Sequence, residues 1–97
     1  MKIQILPSAK QDLVDGFHFY EARAEGLGTY FLDSLYSDID SLLVYGGIHP
    51  VWFGSYYRML SKRFPFAVYY RVDGEVICVL AVLDCRSSPT FQRNRLR

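Results

Sequence analysis

The 97 residues are 51% hydrophobic and carry a formal net charge of +1, which suffices for one core without metal or disulfide staples and reads as a single domain over 1–97. No apolar run approaches the roughly 20 residues of a membrane span, and the N-terminus lacks a basic region followed by an apolar one, so a soluble cytoplasmic protein is expected. The near-neutral total hides a split: residues 1–48 hold three basic groups against seven acids, and residues 49–97 hold eight against three.

Lys2 to Leu6 alternates, with Ile3 and Ile5 on one side, and stops at Pro7, as a short strand does. Ser8 followed by Gln11 forms a capping box, which predicts a helix from Ala9. Leu13, Phe17, Tyr20 and Ala24 give it a buried stripe, with Asp12, Asp15, Glu21 and Arg23 on the wet side. Gly26 and Gly28 bracket a break, after which a second helix is predicted from Thr29 to Tyr45. Its apolar face is Phe31, Leu35, Ile39 and Leu42, and Gly46-Gly47 ends it. Two helices so closely connected pack as an antiparallel hairpin.

Ile48 to Gly54 reads as a loop in which Trp52 and Phe53 are core lids or else exposed anchors for a partner, and Ser55 to Leu60 reads as a strand. Two further strands flank Asp73-Gly74, the strongest short signal for a two-residue hairpin turn. Pairing outward from that turn sets Val72 opposite Glu75, Tyr70 opposite Ile77, Val68 opposite Val79 and Phe66 opposite Ala81. Val76 to Leu83 is apolar at every position, so both faces of that strand need cover. The helices supply one; the other falls to the C-terminal tail or to a second protein. Ser87-Ser88-Pro89 breaks the strand, and Thr90 to Arg97 is either a last helical turn or a loose tail. The expected fold is therefore α+β, in the order β-α-α-β-β-β, with the helix hairpin on one face of a small, mostly antiparallel sheet.

Little here suggests nucleophilic or metal chemistry. His18 lies on a helix surface and His49 in a loop before proline. Cys78 and Cys85 have neither metal spacing nor a geometry that bridges on an extended strand. No phosphate-cradling glycine loop is present, and no cofactor or metal is expected. The arginines carry more information. Arg58, Arg63, Arg71 and Arg86 lie on or at the ends of the predicted strands, and Arg86, Arg93, Arg95 and Arg97 close the chain without an acid. Guanidinium forks bind phosphates and carboxylates, so a basic face toward an anionic partner is expected. The competing expectation is that each arginine pairs with a local acid such as Asp84 or Asp73, more so for Arg71 beside the turn than for Arg58 or Arg86.

Several strings resemble the RelE/ParE superfamily of bacterial type II toxin–antitoxin toxins. They are AKQDL at Ala9–Leu13, GLGTYFLDSL at Gly26–Leu35, Tyr57-Arg58, RFPFAVYYRVDGEVICVLAV from Arg63, and DCRSSP followed by Phe91 and Arg93. The resemblance spans essentially the whole chain and is nearer the ParE-like branch. It implies a toxin of plasmid-stabilisation or stress-response modules that inhibits DNA gyrase by binding it. It also implies an antitoxin partner whose acidic, amphipathic C-terminal segment covers the sheet and its arginines in a hetero-oligomer. The implied contact residues are Arg58, Arg63, Arg71, Arg86, Phe91, Arg93 and Arg95. The alternatives are a ribosome-dependent mRNA interferase using Arg58, Arg63 and Arg86 on the scissile phosphate, or a relative that has lost toxicity. Two departures weigh against the interferase. Phe91 stands nearest the C-terminal aromatic and has no hydroxyl, and Asp84 stands where many relatives have histidine.

Overall fold

In the computed structural model, which describes residues 1–96, the chain forms β1 (Lys2–Ile5), α1 (Pro7–Glu21), α2 (Leu27–Asp40) and α3 (Leu42–Tyr45). It continues through β2 (Val51–Trp52), β3 (Tyr56–Leu60), β4 (Phe66–Asp73), β5 (Val76–Asp84) and α4 (Pro89–Arg95). The sheet order is β1-β5-β4-β3-β2, with β1 parallel to β5 and every other pairing antiparallel. This is the expected α+β arrangement, with one more short strand than anticipated. Val51 and Trp52, assigned to a loop, pair with Tyr57 and Tyr56.

The helix boundaries differ from expectation for local reasons. α1 begins at Pro7, whose fixed φ suits the first helical position and whose missing N–H costs nothing there. Ser8 forms no capping box; its hydroxyl instead donates to the Leu80 carbonyl at 2.9 Å. The second helix starts at Leu27, and Glu21 accepts the Gly26 and Gly28 N–H groups at 3.0 and 2.9 Å, so an acid read as merely wet caps the helix start. Ser41 divides the predicted long helix into α2 and α3. The hairpin closes tightly where side chains are absent. A Cβ on Gly16 would stand 2.5 Å from the Phe31 ring, and one on Gly28 2.7 Å from Phe17.

The β4–β5 register departs from the sequence reading twice. The turn is Gly74-Glu75, one residue later than Asp73-Gly74, because Gly74 supplies the positive φ (58°) at the first turn position. Val72 therefore faces Ile77 and Tyr70 faces Val79. Then Leu80 is skipped: Tyr69 faces Ala81, Val68 faces Val82, and Phe66 faces Asp84 instead of Ala81. A bulge of this kind leaves backbone groups without ladder partners and reverses side-chain parity beyond it. Both consequences are met from α1. Ser8 takes the Leu80 carbonyl, and Asp12 accepts the Val82 N–H at 3.0 Å. Asp12 is consequently buried rather than wet.

Cover on both faces explains why β5 is apolar throughout. Ile77, Val79 and Val82 join the core under the helices with Leu13, Phe31, Leu35, Ile39, Val68 and Tyr70. Ala81 and Leu83 join a second cluster on the opposite face with Ala67 and Tyr69. Leu96 closes that cluster, with Phe53, Tyr56 and Cys85 packed against it. The C-terminal tail is thus a docked helix, and the chain covers much of its own second face.

Candidate partner-binding site

Arg58 lies on β3 directly across from Tyr69 of β4, which sends its side chain over the second face. The guanidinium is held on three sides. Its Nε donates to the Tyr69 hydroxyl at 3.1 Å, its Nη2 reaches the Cys85 sulfur at 3.6 Å, and its carbon lies 4.6 Å from the centroid of the Trp52 ring. Trp52 is therefore a stacking platform for a cation more than a core lid. Tyr69 is fully buried, and its hydroxyl continues to Gln92 Oε1 at 3.4 Å, while the Gln92 amide donates to the Ser87 carbonyl at 3.0 Å. The position of Arg58 is thereby tied to α4. No carboxylate lies within ion-pair distance of it among the described residues. With His49, Pro50, Trp52 and Leu60 it lines an open pocket of about 300 Å³.

The other arginines are placed differently. Arg71 at the hairpin end pairs with Asp73 at 2.7 Å. Arg86 grips Asp84 through Nε and Nη2 at 2.9 and 2.6 Å, and its backbone N–H adds a third bond at 2.8 Å. Those bonds hold Asp84 below the usual carboxylate range and push the Arg86 guanidinium further up. Arg86 also faces Tyr20, whose phenol burial pushes up while the nearby guanidinium opposes the rise. Asp84 shares the helix side of the sheet with Phe66, so the Arg58 and Arg86 forks leave opposite faces. Local pairing accordingly claims Arg71 and Arg86.

Arg95 turns inward, its two terminal nitrogens bound to the two oxygens of Asp12 at 2.7 and 2.8 Å. Arg93 is exposed, with its guanidinium 5.6 Å from the Phe53 ring centroid. Arg63 is exposed in the segment entering β4. Phe91 is also exposed, and lines a shallow groove between α1 and α4 with Phe19, Asp15 and the Asp12–Arg95 pair. Arg97 lies outside the described residues. Of the seven implied contact residues, Arg58, Arg63, Arg93 and Phe91 thus present ends not bound to an acid. Sequence reasoning missed the groups that hold Arg58: Tyr69, Cys85 and Gln92. The cross-strand pairing of Arg58 with Tyr69 was the available signal, obscured because the segment from Ser61 to Pro65 carries no tight-turn motif that would set the β3–β4 register.

His49 reaches the fully buried Tyr70 hydroxyl, which also accepts the Gly47 N–H at 2.9 Å. Burial lowers the His49 pKa and raises that of Tyr70. The pair anchors the loop before β2. Among the described residues no group of three or more His, Cys, Asp or Glu side chains is arranged to hold a metal ion, and no helix is long and apolar enough to cross a membrane.

No family model matches the sequence, and no curated protein matches it. In three dimensions the chain is similar to one in a solved structure described as "Chromosomal ParDE TA system from P. aeruginosa". The TM-score is 0.75, with 18% sequence identity, over 84% of this chain and 92% of that one. At that identity the likeness establishes the fold alone: the α+β architecture is shared with a chain of that ParDE structure.

Proposed function

We propose that this protein is the toxin of a bacterial type II toxin–antitoxin module, acting in the cytoplasm by binding its target, DNA gyrase, rather than by cutting RNA. The observation that carries the reading is Arg58: a guanidinium stacked on Trp52, fixed by Tyr69, and free of any carboxylate among the described residues. Arginines meant only for structure in this chain are paired with Asp12, Asp73 or Asp84. A fixed and unpaired guanidinium at the mouth of an apolar pocket suits a carboxylate delivered by another protein. The ParDE likeness in fold and the sequence resemblance both favour an antitoxin among those partners. Its acidic segment would neutralise Arg58, with Arg63 and Arg93 adding orientation and on-rate.

Binding is favoured over cleavage by the disposition of the arginines. An interferase needs several cations converging on one phosphate, with a group beside them to move a proton. Arg58 and Arg86 leave opposite faces, Arg86 is committed to Asp84, and Phe91 has no proton to exchange. The test is plasmid supercoiling by purified gyrase with the protein added. Lost supercoiling with accumulating linear plasmid supports the proposal. Full supercoiling at about 10 µM protein, far above the affinities of typical specific complexes, would remove gyrase as the target. Cleavage of ribosome-bound mRNA would replace binding with catalysis.

A further inference from the structure

Residues 41–57 contain no Asp, Glu, Lys or Arg, in a chain that is 22% charged. This segment forms α3, the following loop, β2 and the start of β3, and apart from the buried Leu42 much of it is exposed: Val44 is 76% and Ile48 72% accessible, and Leu43, Tyr45 and Val51 are each more than half accessible. Tyr45 and Ile48 line a groove of about 320 Å³ with His49, Met59 and the exposed Leu60 of β3, and Asp38 and Lys62, of opposite charge, stand at its other end. The loop is nevertheless held in place, because Gly47 and His49 both bind the hydroxyl of buried Tyr70. Burial lowers the His49 pKa, so the ring adds no charge near neutral pH. An exposed, mostly apolar patch with no net charge that is already ordered has the properties of a protein interface.

We propose that this surface is the two-fold interface of a homodimer, in which a second copy of the chain packs the same residues against it. The absence of charge selects the partner. An acidic segment such as the one suited to Arg58 would lose hydration over residues 41–57, which hold no cation, and at the groove's far end would meet the Asp38 carboxylate as well as Lys62. The same surface on a second copy is equally apolar, and an isologous contact needs only self-complementarity. The area is adequate for a weak dimer. Taking ~150–200 Å² for each large side chain, the exposed fractions of Leu43, Val44, Tyr45, Ile48, Val51 and Leu60 amount to roughly 600 Å² per copy. Two copies would bury about 1,200 Å², at the lower end for specific interfaces, which points to micromolar association.

Sedimentation velocity on the full chain from about 2 to about 200 µM tests this, a range that brackets micromolar dissociation constants. The wild type should move from 11.3 kDa toward twice that mass as concentration rises. Val44→Asp with Ile48→Asp, and separately Leu60→Asp on a different element, should each raise the dissociation constant at least about tenfold. Circular dichroism and the thermal midpoint at low concentration should stay as in the wild type for at least one of them, because all three side chains are exposed. A wild type that remains monomeric at the top concentration would overturn the proposal. So would dimerisation unchanged in folded variants of both kinds.

Discussion

Asp12 sits on α1, yet its two oxygens serve β5 and α4: Oδ2 accepts the Val82 N–H beyond the bulge, and both oxygens receive the Arg95 fork. Removing Arg95 would leave a buried carboxylate with one backbone donor, and breaking such a pair typically costs about 3 kcal/mol or more. Arg95→Ala should therefore lower stability by about 3 kcal/mol in urea unfolding; a loss below about 0.5 kcal/mol, the range of ordinary surface substitutions, would show that the pair is incidental. Gly16 marks a second intolerant position. Gly16→Ala would drive a methyl into the fully buried Phe31 ring, and overpacking of this kind costs about 1–3 kcal/mol, again read in urea. His49 gives a pH signature. Burial lowers its folded pKa below the unfolded value near 6.5, so the unfolded chain binds the proton more readily. The stability this group supports is complete above about pH 6.5 and is lost as pH falls through the lowered folded value. The urea midpoint should drop between about pH 7.5 and 5.5, and His49→Ala should flatten that drop, since neutral imidazole is what the Tyr70 site accommodates.

At the scale of elements, the bulge at Leu80 governs how much of the fold could be read from the sequence. The helix hairpin, the four longer strands and their α+β grouping were legible because hydrophobic period and glycine punctuation are local signals. The hairpin register was not. Asp73-Gly74 has the stronger turn statistics, but Gly74 at the first turn position sets the turn one residue on, and nothing local announces a skipped Leu80. The uninterrupted apolar run from Val76 to Leu83 reflects cover on both faces of that strand, which the sequence did show, but it carries no sign of the bulge. Its partners on α1 were misjudged for the same reason. Ser8 and Asp12 are polar residues that look like a cap and a solvated position until β5 supplies a carbonyl and an N–H that need them. Ser8→Ala should cost about 1 kcal/mol, the usual net worth of one such hydrogen bond, read in urea unfolding; no loss would mean that water replaces the hydroxyl at the bulge.

For the whole molecule, the sequence pointed to arginines and the structure sorts them. Pairing with acids two residues away could be anticipated for Arg71 and Arg86, whereas the long-range pairing of Arg95 with Asp12 could not. The C-terminal helix was the least legible element. With Leu96 in the second cluster, Gln92 holding Tyr69, and Arg95 on Asp12, α4 belongs to the folded core. Deleting residues 89–97 should therefore expose the second face and yield an unstable, aggregating chain, judged by light scattering and urea unfolding. A well-folded truncated monomer would mean that the helix is an appendage. The same helix, through Gln92 and Tyr69, fixes a fork that has no acid among the described residues, so fold and proposed function meet at Arg58. The measurement that tests this most directly is growth of bacteria expressing the wild type or Arg58→Ala, with soluble level and thermal midpoint checked for both. The account predicts that the wild type arrests growth and that Arg58→Ala, equally folded, relieves the arrest at least about tenfold in viable count, the loss of one strong charge-assisted contact. Arrest by a folded Arg58→Ala chain as strong as the wild type's, or none by the wild type, would contradict it.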